Sequence, residues 1–205
     1  MFQPLYTAVA TAHGGREGKV QTDDGQVSHT LAMPVSVGGK GGTGTNPEQL
    51  FAAGYGACFE SALRLVARMQ KKPLKDATIT ARVTLGKTDD GQVSHTLAMP
   101  ISVGGKGGTG TNPEQLFAAG YAACFESALR LVARLQKKPL KDATITARVT
   151  LGRTDDGGFG LAAELHGHVD GVSRDETRAL MDAAHQVCPY SKATRGNIQV
   201  TLVAE

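Results

Sequence analysis

The sequence predicts an α+β fold in which antiparallel sheets pack around long central helices. Three observations predict it. Runs of period-two alternation at 4–12, 77–85 and 197–203 read as strands. A long apolar stretch with helical periodicity, NPEQLFAAGYGACFESALRLVARMQ at 46–70, recurs at 112–136. Consecutive strands precede and follow each helix, the element order of an α+β domain rather than of alternating β–α units.

The repeat is wider than the helix. Residues 22–87 recur at 88–153, an offset of 66 positions. Only Val35/Ile101, Gly56/Ala122, Met69/Leu135 and Lys87/Arg153 differ between the copies. Two copies do not make a solenoid, and the flanks 1–21 and 154–205 are unrepeated. The chain of 205 residues less one 66-residue copy leaves 139, an ordinary single-domain size. The reading is therefore one domain, 1–205, with its strand–helix–strand middle duplicated.

In chain order, 4–12 is a strand, Gly14–Gly15 turns it, and 19–22 begins a second strand. The stretch 26–37 reads as a third, with Leu31, Met33 and Val35 on one side, and the glycine-rich loop 38–45 leads into the helix. Asn46 suits the N-cap and Pro47 the first helical position. Glu48 complements the helix dipole. Leu50, Phe51, Tyr55, Cys58, Ala62, Leu65 and Val66 form the apolar stripe, and Ala52, Ala53, Gly54, Gly56 and Ala57 make it narrow. Glu60, Arg64 and Arg68 interrupt it too often for a membrane span. Lys71–Lys72–Pro73 closes the helix, 77–85 is a strand, and Thr88–Asp89–Asp90–Gly91 turns into the second copy. After the second copy, 158–169 is a strand. Ser173 with Glu176 has capping-box spacing, and Leu180, Met181, Ala184, Val187 and Cys188 share one helix side. Pro189 interrupts that helix, and 197–203 is the last strand.

Composition narrows the function classes. The net charge of +3 is small, basic residues are scattered, and aromatic residues are 5 % of the chain. That pattern gives no footprint for nucleic acid. The N-terminus MFQPLYTAVATAHGG has no basic lead or sustained apolar run, so a cytoplasmic location is expected. Gly39, Gly41 and Gly44 fit a dinucleotide fingerprint by spacing. The strand before them is half polar, and no acidic residue follows at the right distance. No Walker loop is present, so nucleotide binding is not expected. His166 and His168 share a strand face without further ligands, and no metal motif occurs.

The thiols carry the chemistry. Of three cysteines, two are copies of one, which leaves no disulfide framework. A cysteine on a narrow apolar helix is commonly a small buried hydrophobe. Against that stand Cys188 beside Pro189 and Tyr190, Arg16 in a glycine-flanked turn, and Glu48 or Glu114 ten residues before a helix cysteine. Ten residues is about 15 Å along a helix, so Glu48 cannot touch Cys58 of its own helix. It can orient an arginine that reaches a thiol from elsewhere. A guanidinium beside a thiol favours thiolate, thiolates attack peroxides, and a second cysteine can resolve the sulfenic acid.

GGREG at 14–18, NPEQLFAAGYGACFESAL at 46–63, its copy at 112–129, and AAHQVCPYSKATRGNIQVTL at 183–202 resemble the organic hydroperoxide resistance (Ohr) proteins of the Ohr/OsmC superfamily. The resemblance covers the whole chain once one repeat is removed. It implies a thiol peroxidase that reduces organic, fatty-acid or alkyl hydroperoxides. Cys58 or Cys124 would be peroxidatic and Cys188 resolving, with Arg16 activating the thiolate and Glu48 or Glu114 holding the arginine. It implies no bound cofactor or metal, an external dithiol reductant such as a lipoylated protein, and a homodimer with two long helices packed centrally. The close motif match favours this over an osmotically induced peroxidase of the same superfamily. The competing class is a folded oligomer or hydrophobic-ligand binder whose turnover the duplication has destroyed.

The duplication admits three arrangements. Copy one is native and copy two inserted, or the reverse, or the chain imitates a partial dimer, with 1–87 and 88–205 as its halves. The third is favoured because it buries both apolar helices against each other. It pairs Cys124 with Cys188, leaves Cys58 without a partner, and risks exposed strand edges.

Overall fold

A computed structural model describes residues 2–72, 74–87, 93–98, 101–102, 111–138 and 140–205. Strand β1 (Gln3–His13) runs into a 3₁₀ turn (Gly15–Glu17), then β2 (Lys19–Thr22) and β3 (Ser28–Thr30). Helix α1 (Pro47–Met69) precedes β4 (Thr78–Ile79), β5 (Arg82–Lys87), β6 (Val93–Ala98) and β7 (Ile101–Ser102). Helix α2 (Pro113–Leu135) is followed by β8 (Ala143–Arg153), β9 (Phe159–Val169), α3 (Arg174–Val187), α4 (Pro189–Thr194) and β10 (Gln199–Ala204).

One sheet of six strands, in the order β10-β9-β8-β1-β2-β3, carries the fold. Its inner face is cut from small and branched residues: Ala8, Ala10 and Ala12 of β1, and Ile145, Ala147 and Val149 of β8, all buried. Helix α2 lies on that face. Its alanines let the backbone come close, and Tyr121, Phe125 and Leu129 fill the remaining space. The opposite face is polar, with Thr7 bonded to Thr150 and Thr11 to Thr146.

Both long helices start as their sequences dictate. Asn46 and Asn112 each accept from the backbone N–H of the third helical residue, Gln49 or Gln115, whose side chain accepts in return from the asparagine N–H. These are two complete capping boxes, each with proline at the first position. Helices α1 and α2 pack antiparallel: a Cβ on Gly120 would meet Leu50, and one on Gly54 would meet Leu116. By length and composition each helix reaches what a membrane span needs, with mean hydropathy 1.2 and 1.3, so the interruptions at Glu60, Arg64 and Arg68 do not exclude it on that ground. For α2 the explanation is the core, since 78 % of its apolar window is buried; for α1 the share is 22 %.

The structure differs from the sequence expectations in several places. The strand at 26–37 shrinks to Ser28–Thr30; Leu31 bridges only to Thr45, and Pro34, which has no N–H for a ladder, caps a 3₁₀ turn at Val35–Val37. The strand at 77–85 is broken into β4 and β5, each paired with one short strand, while the same sequence in copy two forms the unbroken β8 between β1 and β9. The pairing partners decide continuity here, not the residues. The sheet is not wholly antiparallel: β10 runs parallel to β9, because the α3–α4 connection crosses over between them. The 158–169 strand, the Ser173 cap and the interruption at Pro189 appear where expected. The turn at Thr88–Gly91 lies outside the described residues, as does Pro73.

Candidate functional site: a buried dithiol beside an ion-paired arginine

The site forms where three segments converge on the middle of α2. The first is the turn after β1. Gly14 and Gly15 both take positive φ, 84° and 65°, which reverses the chain within two residues and aims Arg16 inward. The second is the first turn of α1, where Glu48 sits. Arg16 grips it with two parallel bonds, Nη1 to Oε2 at 2.9 Å and Nη2 to Oε1 at 2.6 Å, both side chains largely buried. The third is the junction of α3 and α4, where Pro189 stops one helix and starts the next and leaves Cys188 at the joint.

On α2, Cys124 lies 1 % exposed between these elements. Its Sγ is 4.0 Å from Arg16 Nη2 and 3.6 Å from Cys188 Sγ. Burial acts against the Arg16 charge, but Glu48 and the Cys124 sulfur outweigh it, and its pKa stands above the ordinary arginine value. The two thiols are driven apart. Burial, then the bond with Cys188, pushes Cys124 well above the usual thiol range, with Arg16 opposing. Cys188 is also penalised by burial, yet it ends below the usual range, because Cys124, the N–H groups of Ser191 and Tyr190, and the Ser191 hydroxyl all act to stabilise its thiolate. The pair thus shares one readily lost proton across two sulfurs.

Tyr190 locks the wall of the site. Its hydroxyl donates to the Pro47 carbonyl at 2.7 Å, tying α4 to the start of α1 beneath Glu48. Gly120 makes room for it, since a Cβ there would stand 2.1 Å from the Tyr190 oxygen. Phe51, Phe117 and Tyr121 surround Tyr190 with ring centroids 5.1, 5.6 and 5.4 Å from its own. Tyr121 in turn bonds Ser191 at 3.0 Å. The thiols thus share a core with these aromatic rings, while Arg16 and Ser191 supply their polar neighbours.

Of the six candidate residues, the structure brings together Arg16, Glu48, Cys124 and Cys188 and leaves out Cys58 and Glu114. Cys58 is exposed on α1, and its thiol is raised by partial burial and then by the charge of Glu114. Glu114 has no ion-pair partner among the described residues. His166 bonds Glu164 and Glu205, and His168 bonds Asp170. Among the described residues no group of three or more His, Cys, Asp or Glu could hold a metal. Sequence reasoning missed the structural part of Tyr190 and that of Glu126, described below. The only signal for Tyr190 was its place beside Cys188 and Pro189.

An α+β scaffold with a buried dithiol, addressed by an arginine that a carboxylate holds in place, is the class of protein defined so far. A family profile described as "OsmC-like protein" matches residues 39–103 and again 104–203, and the chain belongs to that family. It is 38 % identical, over the full length of both chains, to the organic hydroperoxide resistance protein OhrA of Bacillus subtilis. It is 54 % identical over 107 residues, 52 % of this chain and 75 % of the relative, to the organic hydroperoxide resistance protein of Xanthomonas axonopodis pv. citri. Among solved structures, OhrB of Bacillus subtilis matches with 31 % identity over 98 % of each chain and a TM-score of 0.46.

Proposed function

We propose that this protein is a cysteine-dependent peroxidase that reduces organic hydroperoxides to alcohols. The observation that carries the reading is the buried Cys124–Cys188 pair, with the Glu48-held Arg16 against Cys124. The names of the relatives, organic hydroperoxide resistance proteins, support a peroxide-resistance role. The partly buried rings of Phe51 and Phe117, packed on Tyr190 beside the thiols, support a substrate with a hydrocarbon body over hydrogen peroxide.

The reaction begins with the pair carrying one negative charge. The Cys188 thiolate takes the Cys124 proton across the 3.6 Å contact, and Arg16 stabilises the thiolate so formed on Cys124. That sulfur attacks the terminal peroxide oxygen and the O–O bond breaks. Cys124 becomes a sulfenic acid, and the alkoxide leaves as alcohol with the proton returned by Cys188. The Cys188 thiolate then attacks the Cys124 sulfur, forms the disulfide and expels hydroxide. The sulfurs need close only from 3.6 Å to the roughly 2.05 Å of a disulfide, a movement within side-chain reach. An external dithiol, a lipoyl group on a protein being the type proposed, restores the pair by thiol–disulfide exchange.

The same geometry leads us to propose that the chain works as a partial pseudo-dimer. Residues 1–87 supply Arg16 and Glu48, and 88–205 supply Cys124 and Cys188. The test is a disulfide map. Reduced protein receives one equivalent of cumene hydroperoxide, free thiols are blocked, and tryptic peptides are weighed; Gly56 against Ala122 separates the two helix peptides by one methylene. A Cys124–Cys188 link with peroxide consumed is expected. No link and no consumption would leave the reading without its site.

A further inference from the structure

We infer that Glu126 is a positioning residue that seats the Arg16 turn on α2 and thereby keeps the guanidinium at Cys124. The inference rests on the reading that Arg16 addresses Cys124. Glu126 lies two residues past Cys124 and is fully buried, an expensive place for a carboxylate without partners. One oxygen accepts from Arg130 Nε at 2.5 Å. The other, Oε2, is buried with no hydrogen-bond partner among the described residues and faces the turn. A Cβ on Gly15 would stand 3.1 Å from that oxygen and 3.4 Å from Ser127 Oγ; burial pushes the Glu126 carboxyl up, with Arg130 and then the nearby Gly15 N–H acting against it. The seat continues outward. Arg130 Nη2 lies 3.7 Å from Asp142 Oδ1, and the same oxygen pairs at 2.5 Å with Nε2 of His13, the last residue of β1 before the turn. The turn is thus held at its root by His13 and at its crest by Glu126.

The other copy provides the control within the molecule. Glu60 and Arg64 repeat the pair at the same spacing on α1, and they too bond each other. Their glutamate is 25 % exposed where Glu126 is 0 % exposed. The Arg16 turn packs on α2, and its tie to α1 is the Arg16–Glu48 pair at the helix start, twelve residues or about 18 Å along the helix from Glu60. An ion pair of this kind forms on the helix without the turn; its glutamate is buried where the turn and the sheet pack on α2.

The test is an absorbance titration of the Cys124 thiolate at 240 nm in the full chain with Cys58 and Cys188 changed to serine. No peroxide is involved, so the result stands whether or not the protein turns over peroxide. Arg16→Ala is expected to raise the midpoint by about one pH unit, and Glu126→Leu to raise it by a similar amount. Losing a nearby carboxylate for electrostatic reasons alone would lower the midpoint, so the sign separates positioning from charge. Glu126→Gln, which keeps an acceptor for Gly15, is expected to stay near the parent. The double variant Arg16→Ala/Glu126→Leu is expected to titrate with Arg16→Ala alone. Should Glu126→Leu fail to fold by circular dichroism, Gly15→Ala pushes the turn from α2 with Glu126 intact and is expected to raise the midpoint likewise. A midpoint that is unchanged or lower in the folded Glu126→Leu or Gly15→Ala protein, or shifts that add in the double variant, would overturn the inference.

Discussion

Helices α1 and α2 differ at two of their 23 residues, Gly56/Ala122 and Met69/Leu135, and have opposite surroundings. Tyr55 is 40 % exposed and Tyr121 is 0 % exposed; Val66 is 48 % exposed and Val132 is 6 % exposed. The stripe that α2 presses onto β1 and β8 is presented by α1 to open surface. The difference lies in what each helix meets. Strand β1 and the α3–α4 segment occur once in the chain and pack on α2, with Tyr190 also reaching the start of α1. Identical chemistry is therefore a buried dithiol beside an arginine in one place and an exposed thiol in the other. The proposed reactivity is a property of neighbours. On the proposed reading the copies also divide the labour crosswise, with copy one contributing its glutamate and copy two its cysteine.

The largest test of that division is the cysteine exchange. Cys124→Ser is expected to lower peroxide consumption by about 10³-fold or more, since it removes the nucleophile, while Cys58→Ser leaves the rate unchanged; a stopped-flow assay with cumene hydroperoxide reads both. Equal losses would mean that both copies work. The glutamates come next, with the copies reversed. Glu48→Gln frees Arg16 and is expected to cost about 10²-fold in kcat/KM, the scale of a misplaced catalytic group. Glu114→Gln in the same assay should cost nothing.

Packing gives a third contrast. Leu129 is fully buried and its counterpart Leu63 is half-buried. Leu129→Ala should destabilise by about 3 kcal/mol, and Leu63→Ala by less than half of that; urea denaturation midpoints decide it. The smallest effect is in pH. The shared proton of the Cys124–Cys188 pair leaves from the sulfur that is lowered, Cys188, and thiolate increases as pH rises. Peroxide consumption should therefore rise with pH and level off below 9.0, the ordinary thiol value, whereas alkylation of Cys58, a raised thiol, should keep rising above 9.0. A common midpoint would erase the distinction.

Local signals in the sequence survived intact in the fold. Asn46–Pro47 and Asn112–Pro113 start helices, Ser173 starts α3, and Pro189 stops it, because each acts on its own backbone neighbours. Arg16, Glu48 and the cysteines stood out through their residue types and the motifs around them. What sequence could not show depends on distant partners. Residues 77–87 and 143–153 are nearly the same string, yet only the second finds strands on both sides. The 26–37 alternation was overruled by Pro34, a local cue outweighed by the periodicity around it. Glu126 carried no signal of its own, because the turn packed against it comes from more than 100 positions away.

The meeting of Arg16 and Glu48 with Cys124 inside one chain has a consequence for mass action. A site whose arginine, carboxylate and sulfur arrive on separate polypeptides is diluted apart when its subunits dissociate. Here one continuous chain fixes their local concentration at a value independent of how much protein is present. Specific activity should therefore hold steady from micromolar to nanomolar enzyme, through any dissociation of one whole chain from another.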